Sequence, residues 1–289
     1  MDHEELPSAG EWTKRRMTDG SGNGSSPEHG FVVVDGLRLH YLDFGGEGKP
    51  LVLLHGVTSH AWVWRYLAPH LTHRRLVALD SRGHGDSQWS EGHQYETEDL
   101  ASDVVEFIDV IGLGGVDIVG GSWGGLVGLQ VATRVPNLVD SLTMIDIPPS
   151  FPGPASEVHT DPGSDPNHAR SVAYLRDTAE YMDEAIGEAL AAFGVRPGKN
   201  GRLYTKHDDY FHEQRPHRAV DYWEELESLR MPVLFVRADN STHLSAPVAE
   251  RMLQVAHNAQ LVTISETGHR IPTDNPVALG RVLRDFLGP

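Results

Sequence analysis

Residues Val116–Gly125, VDIVGGSWGG, restrict what this chain can fold into more than any other stretch. The apolar run Val116-Asp117-Ile118-Val119 predicts a buried strand, and the apolar run Leu126–Ala132 suits a buried helix. A sharp turn between them would put Ser122 at its apex, with glycines on both sides. Strand and helix pass close together at such a turn. A side chain at Gly120 or Gly124 would clash, and the serine is held in a strained backbone conformation. The turn pushes the Ser122 hydroxyl out at the sheet edge and leaves the Trp123 N–H at a helix N-terminus, where developing negative charge is stabilised. Taken alone, a Gly-Gly-Ser-x-Gly-Gly run also fits a flexible loop. The rest of the chain decides between the two.

Three further segments follow a consistent pattern. Leu51–Leu54 is an apolar strand that ends in His55-Gly56-Val57. Leu76–Leu79 is a second, followed by Asp80-Ser81-Arg82-Gly83-His84-Gly85-Asp86-Ser87. Leu261–Ile264 leads into Glu266-Thr267-Gly268-His269, with Asp274-Asn275-Pro276 just beyond. With these four motifs in this order, the chain resembles the α/β-hydrolase superfamily from about Phe31 to Leu287, interrupted by an insert after Ile147. The resemblance implies an α/β fold: a mostly parallel eight-stranded sheet with helices on both faces and a helical cap insert. It specifies the fold far better than the substrate.

The same resemblance implies roles for particular residues. Ser122 is the candidate nucleophile, and a serine hydroxyl needs an adjacent base. His269, on a glycine-containing loop after the last strand, is that base. The oxyanion hole implied by the family is made of the backbone N–H groups of Val57 and Trp123. Two aspartates compete for the acid that orients His269. In most relatives the acid follows the seventh strand, here Val233–Val236, but the matching position is Ser241, and Asp239 lies two residues early. Other relatives carry it after the sixth strand, where Met144-Ile145-Asp146 supplies Asp146. A carboxylate at the end of an apolar strand is costly to bury without a partner, and an imidazolium would be one. Asp146 is the preferred acid and Asp239 the alternative. His55 and Arg82 read as scaffold residues. Lys206, His207, Tyr210 and Arg215 read as a solvated, aromatic-rich cap surface.

Organisation follows from composition along the chain. Residues 1–29 are rich in Gly, Ser, Asp and Glu and read as a disordered tail. Asp35-Gly36, between Phe31–Val34 and Leu37–Phe44, signals a two-residue hairpin. Helices are expected near Trp62–Leu71, Asp99–Ile111, Trp123–Val135, Val248–Val255 and Val277–Leu287, and continuous apolar strands between them imply a parallel sheet covered on both faces. The core is expected over 30–147 and 229–289, with a helical cap over 148–228. That insert opens with six prolines between Pro148 and Pro166 and then carries an apolar stripe over Ala169–Phe193.

Composition limits the partners. The net charge is −17, which disfavours nucleic acid and anionic membrane surfaces. There is no cysteine, so neither disulfides nor thiol chemistry is available. The histidines are scattered, with no His-Glu-x-x-His, so no metal or other cofactor is expected. A polar N-terminus without an apolar core argues against a signal peptide, and a cytoplasmic location is the expectation. The expected activity is cofactor-free hydrolysis of an ester, lactone or amide of a small molecule through an acyl-enzyme. The alternatives on the same residues are a C–C bond hydrolase, a cofactor-free peroxidase, a hydroxynitrile lyase, or a low-turnover ligand receptor. The oligomeric state is left open.

Overall fold

The computed structural model describes residues 26–151, 180–197, 203–215 and 220–288. Its centre is an eight-stranded sheet built from β1 (Glu28–Val34), β2 (Leu37–Gly45), β3 (Pro50–Leu54), β4 (Arg75–Leu79), β5 (Val116–Gly121), β6 (Val139–Ile145), β9 (Val233–Ala238) and β10 (Ala259–Ile264). The spatial order is β1-β2-β4-β3-β5-β6-β9-β10. Only the β1–β2 and β2–β4 pairings are antiparallel; from β4 to β10 every neighbour is parallel. A second, two-stranded sheet pairs β7 (Val195–Pro197) with β8 (Leu203–Thr205) in the insert. All eight expected strands of the main sheet are present.

The central strands read as continuous apolar runs because both of their faces are covered. Alternate residues feed two separate cores. Val52, Leu54, Val77, Leu79, Ile118, Leu142 and Phe235 pack on one face, under α1 (Thr97–Val110), α2 (Trp123–Arg134), α5 (Trp223–Ser228) and α6 (Ala246–Val255). Leu51, Leu53, Leu76, Ala78, Val119, Leu234 and Val236 pack on the other, under Trp64, Leu190 of α3 (Glu184–Phe193) and Leu279 and Leu283 of α8 (Pro276–Leu287). A period of two sorts the strand side chains between these layers.

Three boundaries differ from the sequence reading. The helix expected over Trp62–Leu71 is instead two short 3-10 turns, Ala61–Trp64 and Ala68–His70. Pro69 supplies no N–H and disfavours an α conformation at Ala68, so one continuous helix does not form. β1 starts at Glu28, inside the segment assigned to the tail; residues 1–25 lie outside the described residues. The insert returns to the core earlier than expected. Ser150 pairs with Asp221 and the Tyr222 N–H bonds the Pro149 carbonyl at 2.9 Å, closing the excursion at its base. From there α5 packs with the core, its Leu226 fully buried beside α2 and α6. Much of the stripe expected over Ala169–Phe193 lies outside the described residues; its last part forms α3. Among the described residues no helix is long and apolar enough to cross a membrane.

Candidate active site

The site lies at the carboxyl ends of β5, β6 and β9. Each of the first two strands ends by donating to its neighbour: Ser122 N–H to the Ile145 carbonyl, and Asp146 N–H to the Val236 carbonyl, both at 2.8 Å. Immediately afterwards the backbone turns into conformations that L-residues rarely adopt. Ser122 has φ 52° and ψ −126°, and Asp146 has φ 52°. Such strain costs on the order of 1–3 kcal/mol per residue and persists only where the surroundings enforce it. The flanking glycines are part of that enforcement. A methyl at Gly120 would overlap the Gly124 carbonyl, and one at Gly124 would overlap the Leu54 carbonyl.

His269 lies between these two strand ends. Its Nε2 is 2.9 Å from Ser122 Oγ, and its Nδ1 is 2.8 Å from Asp146 Oδ2. The His269 side chain is 23% exposed and Asp146 is fully buried, so the base is open to solvent and the carboxylate is not. The buried carboxylate has two further donors. Ala238 N–H reaches Oδ1 at 3.0 Å, and the Ser241 hydroxyl reaches Oδ2 at 2.7 Å. Hydrogen bonds to a charged acceptor of this kind are the strong ones. Ser241, the residue at the position where relatives more often carry the acid, is therefore a donor to the acid on the neighbouring strand.

Asp239 is not brought to His269. Its carboxylate accepts from Glu266 N–H at 3.0 Å and Thr267 N–H at 3.1 Å. Those backbone bonds, first Thr267 and then Glu266, hold its pKa below the usual carboxylate value. The aspartate thus ties down the loop that carries His269. Asp274 braces the same loop by accepting from Gly268 N–H at 2.9 Å. Above it the His243 ring lies nearly flat on His269, centroids 3.6 Å apart and planes 15° apart.

The loop after β3 lies against Ser122: a methyl placed on Gly56 would sit 3.0 Å from Ser122 Cβ and 3.6 Å from Oγ. Two neutral histidines fix this loop. His55 donates from Nδ1 to the Gly56 carbonyl at 2.7 Å and accepts Ser81 N–H on Nε2 at 3.1 Å. His84 donates from Nδ1 to the Arg82 carbonyl at 3.0 Å and accepts Thr58 N–H on Nε2 at 3.1 Å. Burial is the largest cause of the lowered pKa of both rings. Both therefore keep one proton, on the nitrogen that faces a carbonyl. The sequence reading found the scaffold role of His55 but no role for His84. Arg82 is a scaffold residue as expected, forked onto Asp103 at 2.6 and 2.5 Å.

Trp123 is a packing residue, not pocket wall. It is 1% exposed, and its indole N–H is held by Thr97 Oγ1 at 2.9 Å. The patch expected to be solvated cap surface is largely enclosed. His207 is 8% exposed, and Lys206 reaches across to Asp86 at 2.8 Å. Two groups among the described residues have the spacing to hold a metal ion: Asp146 with His243 and His269, and His40 with Asp80 and Asp86. Donor chemistry favours neither. Both ring nitrogens of His269 are engaged by Ser122 and Asp146, and both of His40 by His29 and Asp80.

Comparisons with known proteins agree with the fold. N-formylmaleamate deformylase of Pseudomonas putida is 28% identical over 265 residues, covering 89% of this chain and 96% of that protein. Lipase LipV of Mycobacterium tuberculosis is 28% identical over 280 residues, covering 89% of this chain and all of that protein. Among solved structures, E-2-(acetamidomethylene)succinate hydrolase superposes with a TM-score of 0.79 at 24% identity, over 90% of this chain and 99% of that one. At that identity the likeness is one of fold. The sequence profile of the alpha/beta hydrolase fold matches residues 49–276, a span that contains every strand from β3 to β10 and the residues gathered around Ser122. The chain belongs to the alpha/beta hydrolase family.

Proposed function

We infer that this enzyme is a serine hydrolase that cleaves a carboxylic ester, lactone or amide of a small molecule through an acyl-enzyme. The observation that carries the reading is the unbroken chain from Ser122 Oγ through both nitrogens of His269 to buried Asp146. Asp146 holds the Nδ1 proton, so Nε2 faces the serine as an acceptor. As Ser122 attacks a carbonyl carbon, its proton passes to Nε2, and the imidazolium formed is stabilised by the Asp146 carboxylate. The carbonyl oxygen becomes an oxyanion and takes hydrogen bonds from the N–H groups of Val57 and Trp123. His269 then protonates the leaving alcohol or amine. Water, deprotonated by the same nitrogen, attacks the acyl-enzyme and frees the acid.

The residue at the elbow separates this reading from that of the epoxide hydrolases among the relatives, one of which, from Corynebacterium, is 26% identical over 283 residues. Opening an epoxide through an ester intermediate needs a carboxylate nucleophile, and Ser122 is not one. An amide substrate fits as well as an ester: the P. putida relative is named as a deformylase acting on N-formylmaleamate. The test is a panel of p-nitrophenyl esters and N-formyl amides with wild-type, Ser122→Ala and His269→Ala protein. Turnover should fall at least about a thousandfold in either variant, on the order of the loss when one member of such a triad is removed. Retention of more than about a tenth of the rate, a barrier change of only ~1.4 kcal/mol, rules out Ser122 as nucleophile.

A further inference from the structure

The loop after β9 touches both residues that stand behind Ser122. Ser241 donates to Asp146 Oδ2 at 2.7 Å. Two residues on, the His243 ring lies over His269, centroids 3.6 Å apart and planes 15° apart. With the acid on the neighbouring strand, this loop supplies a hydroxyl for the acid and a ring for the base.

The backbone that carries His243 is fixed on both sides. Its own N–H donates to Ser241 Oγ at 3.1 Å, and the Leu244 N–H donates to the same oxygen at 2.8 Å. Leu244 is buried, and its carbonyl accepts from Arg237 Nε at 2.8 Å. The His243 ring is held at its edge, with Thr242 Oγ1 3.0 Å from Nδ1. The loop of His269 is fixed as closely. Asp239 ties it at Glu266 and Thr267, and Asp274, the last residue of α7 (Ile271–Asp274), ties it at Gly268. The two loops are also joined directly, Asn240 N–H donating to the Thr267 carbonyl at 3.2 Å. Anchored backbone thus holds the two rings face to face.

Two neutral rings avoid this arrangement. A separation of 3.6 Å is already about the contact distance of two carbon layers, so almost no offset is left. Each aromatic face is electron-rich, and uncharged rings therefore prefer an offset or edge-on contact to a sandwich. The preference reverses when one ring is a cation, because an electron-rich face attracts positive charge. In the proposed reaction His269 becomes that cation when it takes the Ser122 proton. Asp146 meets the imidazolium at its edge, through Nδ1, and His243 covers its face. An interaction that strengthens as the transition state forms is the kind that accelerates a reaction. The ring of Phe211, in α4 (Tyr210–Glu213), stacks instead on His84, 4.4 Å between centroids, and so bears on the loop of Val57 rather than on the base.

We propose that His243 is a positioning residue of the reaction: in its neutral form it holds the His269 ring between Ser122 and Asp146 and stabilises the imidazolium formed when the serine attacks. The proposal rests on the serine-hydrolase reading above and adds a residue to that site. Filling the space beside His269 needs only a side chain of the right size. Stabilising its cation needs a ring face.

Phosphonylation by a p-nitrophenyl phosphonate reads this step without a known substrate. Ser122 Oγ bonds to phosphorus, p-nitrophenolate leaves with the electrons of the broken P–O bond, and the serine proton goes to His269 Nε2. The rate is measured at pH 8 for wild type, His243→Leu and His243→Phe, with circular dichroism to confirm folding. The saturating rate constant should fall about tenfold in His243→Leu, a barrier change of ~1.4 kcal/mol. The half-saturating phosphonate concentration should stay within about twofold, since ground-state binding is untouched. His243→Phe restores a ring face and should react at least about fivefold faster than His243→Leu. Equal rates in the folded Leu and Phe variants, or an effect confined to the half-saturating concentration, overturn the proposal. Should His243→Leu fail to fold, His243→Met against His243→Phe makes the same comparison. Labelling of Ser122 with no difference between the variants overturns the role of His243 alone. Wild-type protein left unlabelled at Ser122 overturns the serine-hydrolase reading and the role of His243 with it.

Discussion

Moving the acid from one strand to the next is the sharpest perturbation this site allows. Asp146 Oδ2 receives both His269 Nδ1, at 2.8 Å, and the Ser241 hydroxyl, at 2.7 Å. A carboxylate at position 241 would start within hydrogen-bond reach of the place Asp146 now fills. It would also keep the loop intact, since Ser241 Oγ accepts from His243 N–H at 3.1 Å and Leu244 N–H at 2.8 Å, a task aspartate performs equally well. Asp146→Asn alone removes the charge that stabilises the imidazolium and is expected to lower kcat on the order of 10⁴-fold, about 5.4 kcal/mol. Adding Ser241→Asp to Asp146→Asn should recover at least tenfold. Ser241→Asp alone places two carboxylates against each other, so they share a proton and the acid limb of the pH–rate profile moves up. Asp239→Asn, whose side chain bonds the Glu266 and Thr267 backbone and the Asn240 amide and not His269, should stay within about tenfold of wild type, a barrier change under ~1.4 kcal/mol. Steady-state kcat on one activated ester, with circular dichroism for folding, reads all four proteins. If Asp239→Asn is crippled while Asp146→Asn is near wild type, or the folded double variant is no better than Asp146→Asn, the assignment of the acid is wrong.

The remaining predictions concern stability. His55, His60, His84 and His207 are all held neutral by burial, with pKa values below the 6.5 of the free side chain. The unfolded chain therefore binds more protons below pH 6.5, and stability present above that value is lost as pH falls toward about 4 for His60 and about 3 for His207. The slope is about 1.4 kcal/mol per pH unit for each such histidine; calorimetry at stepped pH should show Tm falling from pH 6.5 downward, and a flat Tm between pH 7 and 5 contradicts it. Gly124→Ala should destabilise by about 3 kcal/mol, because the new methyl meets the backbone of Leu54 and His55. Gly187→Ala in α3, whose methyl would meet only Met182 Sδ at 3.6 Å, should stabilise by about 0.5–1 kcal/mol. Denaturant midpoints decide both.

The strands and the turn at Ser122 were legible because their signals are local. A strand buried on both faces is a continuous apolar run, and a strand–turn–helix that crowds two backbones needs glycine at fixed places. The approach of Asp146 to His269 was expected on two grounds: the resemblance allows a carboxylate after the sixth strand, and one buried there needs a partner. What escaped the sequence depends on contacts between distant segments. That Ser241 donates to Asp146, that Asp239 ties down the His269 loop, and that His84 holds Thr58 all follow from how neighbouring strands end, which spacing along one chain does not encode. His207 was misread for the same reason. A polar residue among polar neighbours looks solvated until a second layer covers it. The Trp62–Leu71 segment failed differently: its apolar periodicity is real, but Pro69 breaks the hydrogen-bond ladder that a helix requires.

The central claim is that Ser122 becomes covalently acylated and that His269 makes this possible. Incubation with a p-nitrophenyl phosphonate, followed by proteolysis and mass spectrometry, tests it directly, because the phosphonyl group stays on the nucleophile that displaced p-nitrophenol. The account predicts one phosphonyl group per chain, on the peptide that contains Ser122, with labelling abolished in Ser122→Ala and slowed at least a hundredfold in His269→Ala. Labelling at another residue, or the same rate of labelling without His269, contradicts it.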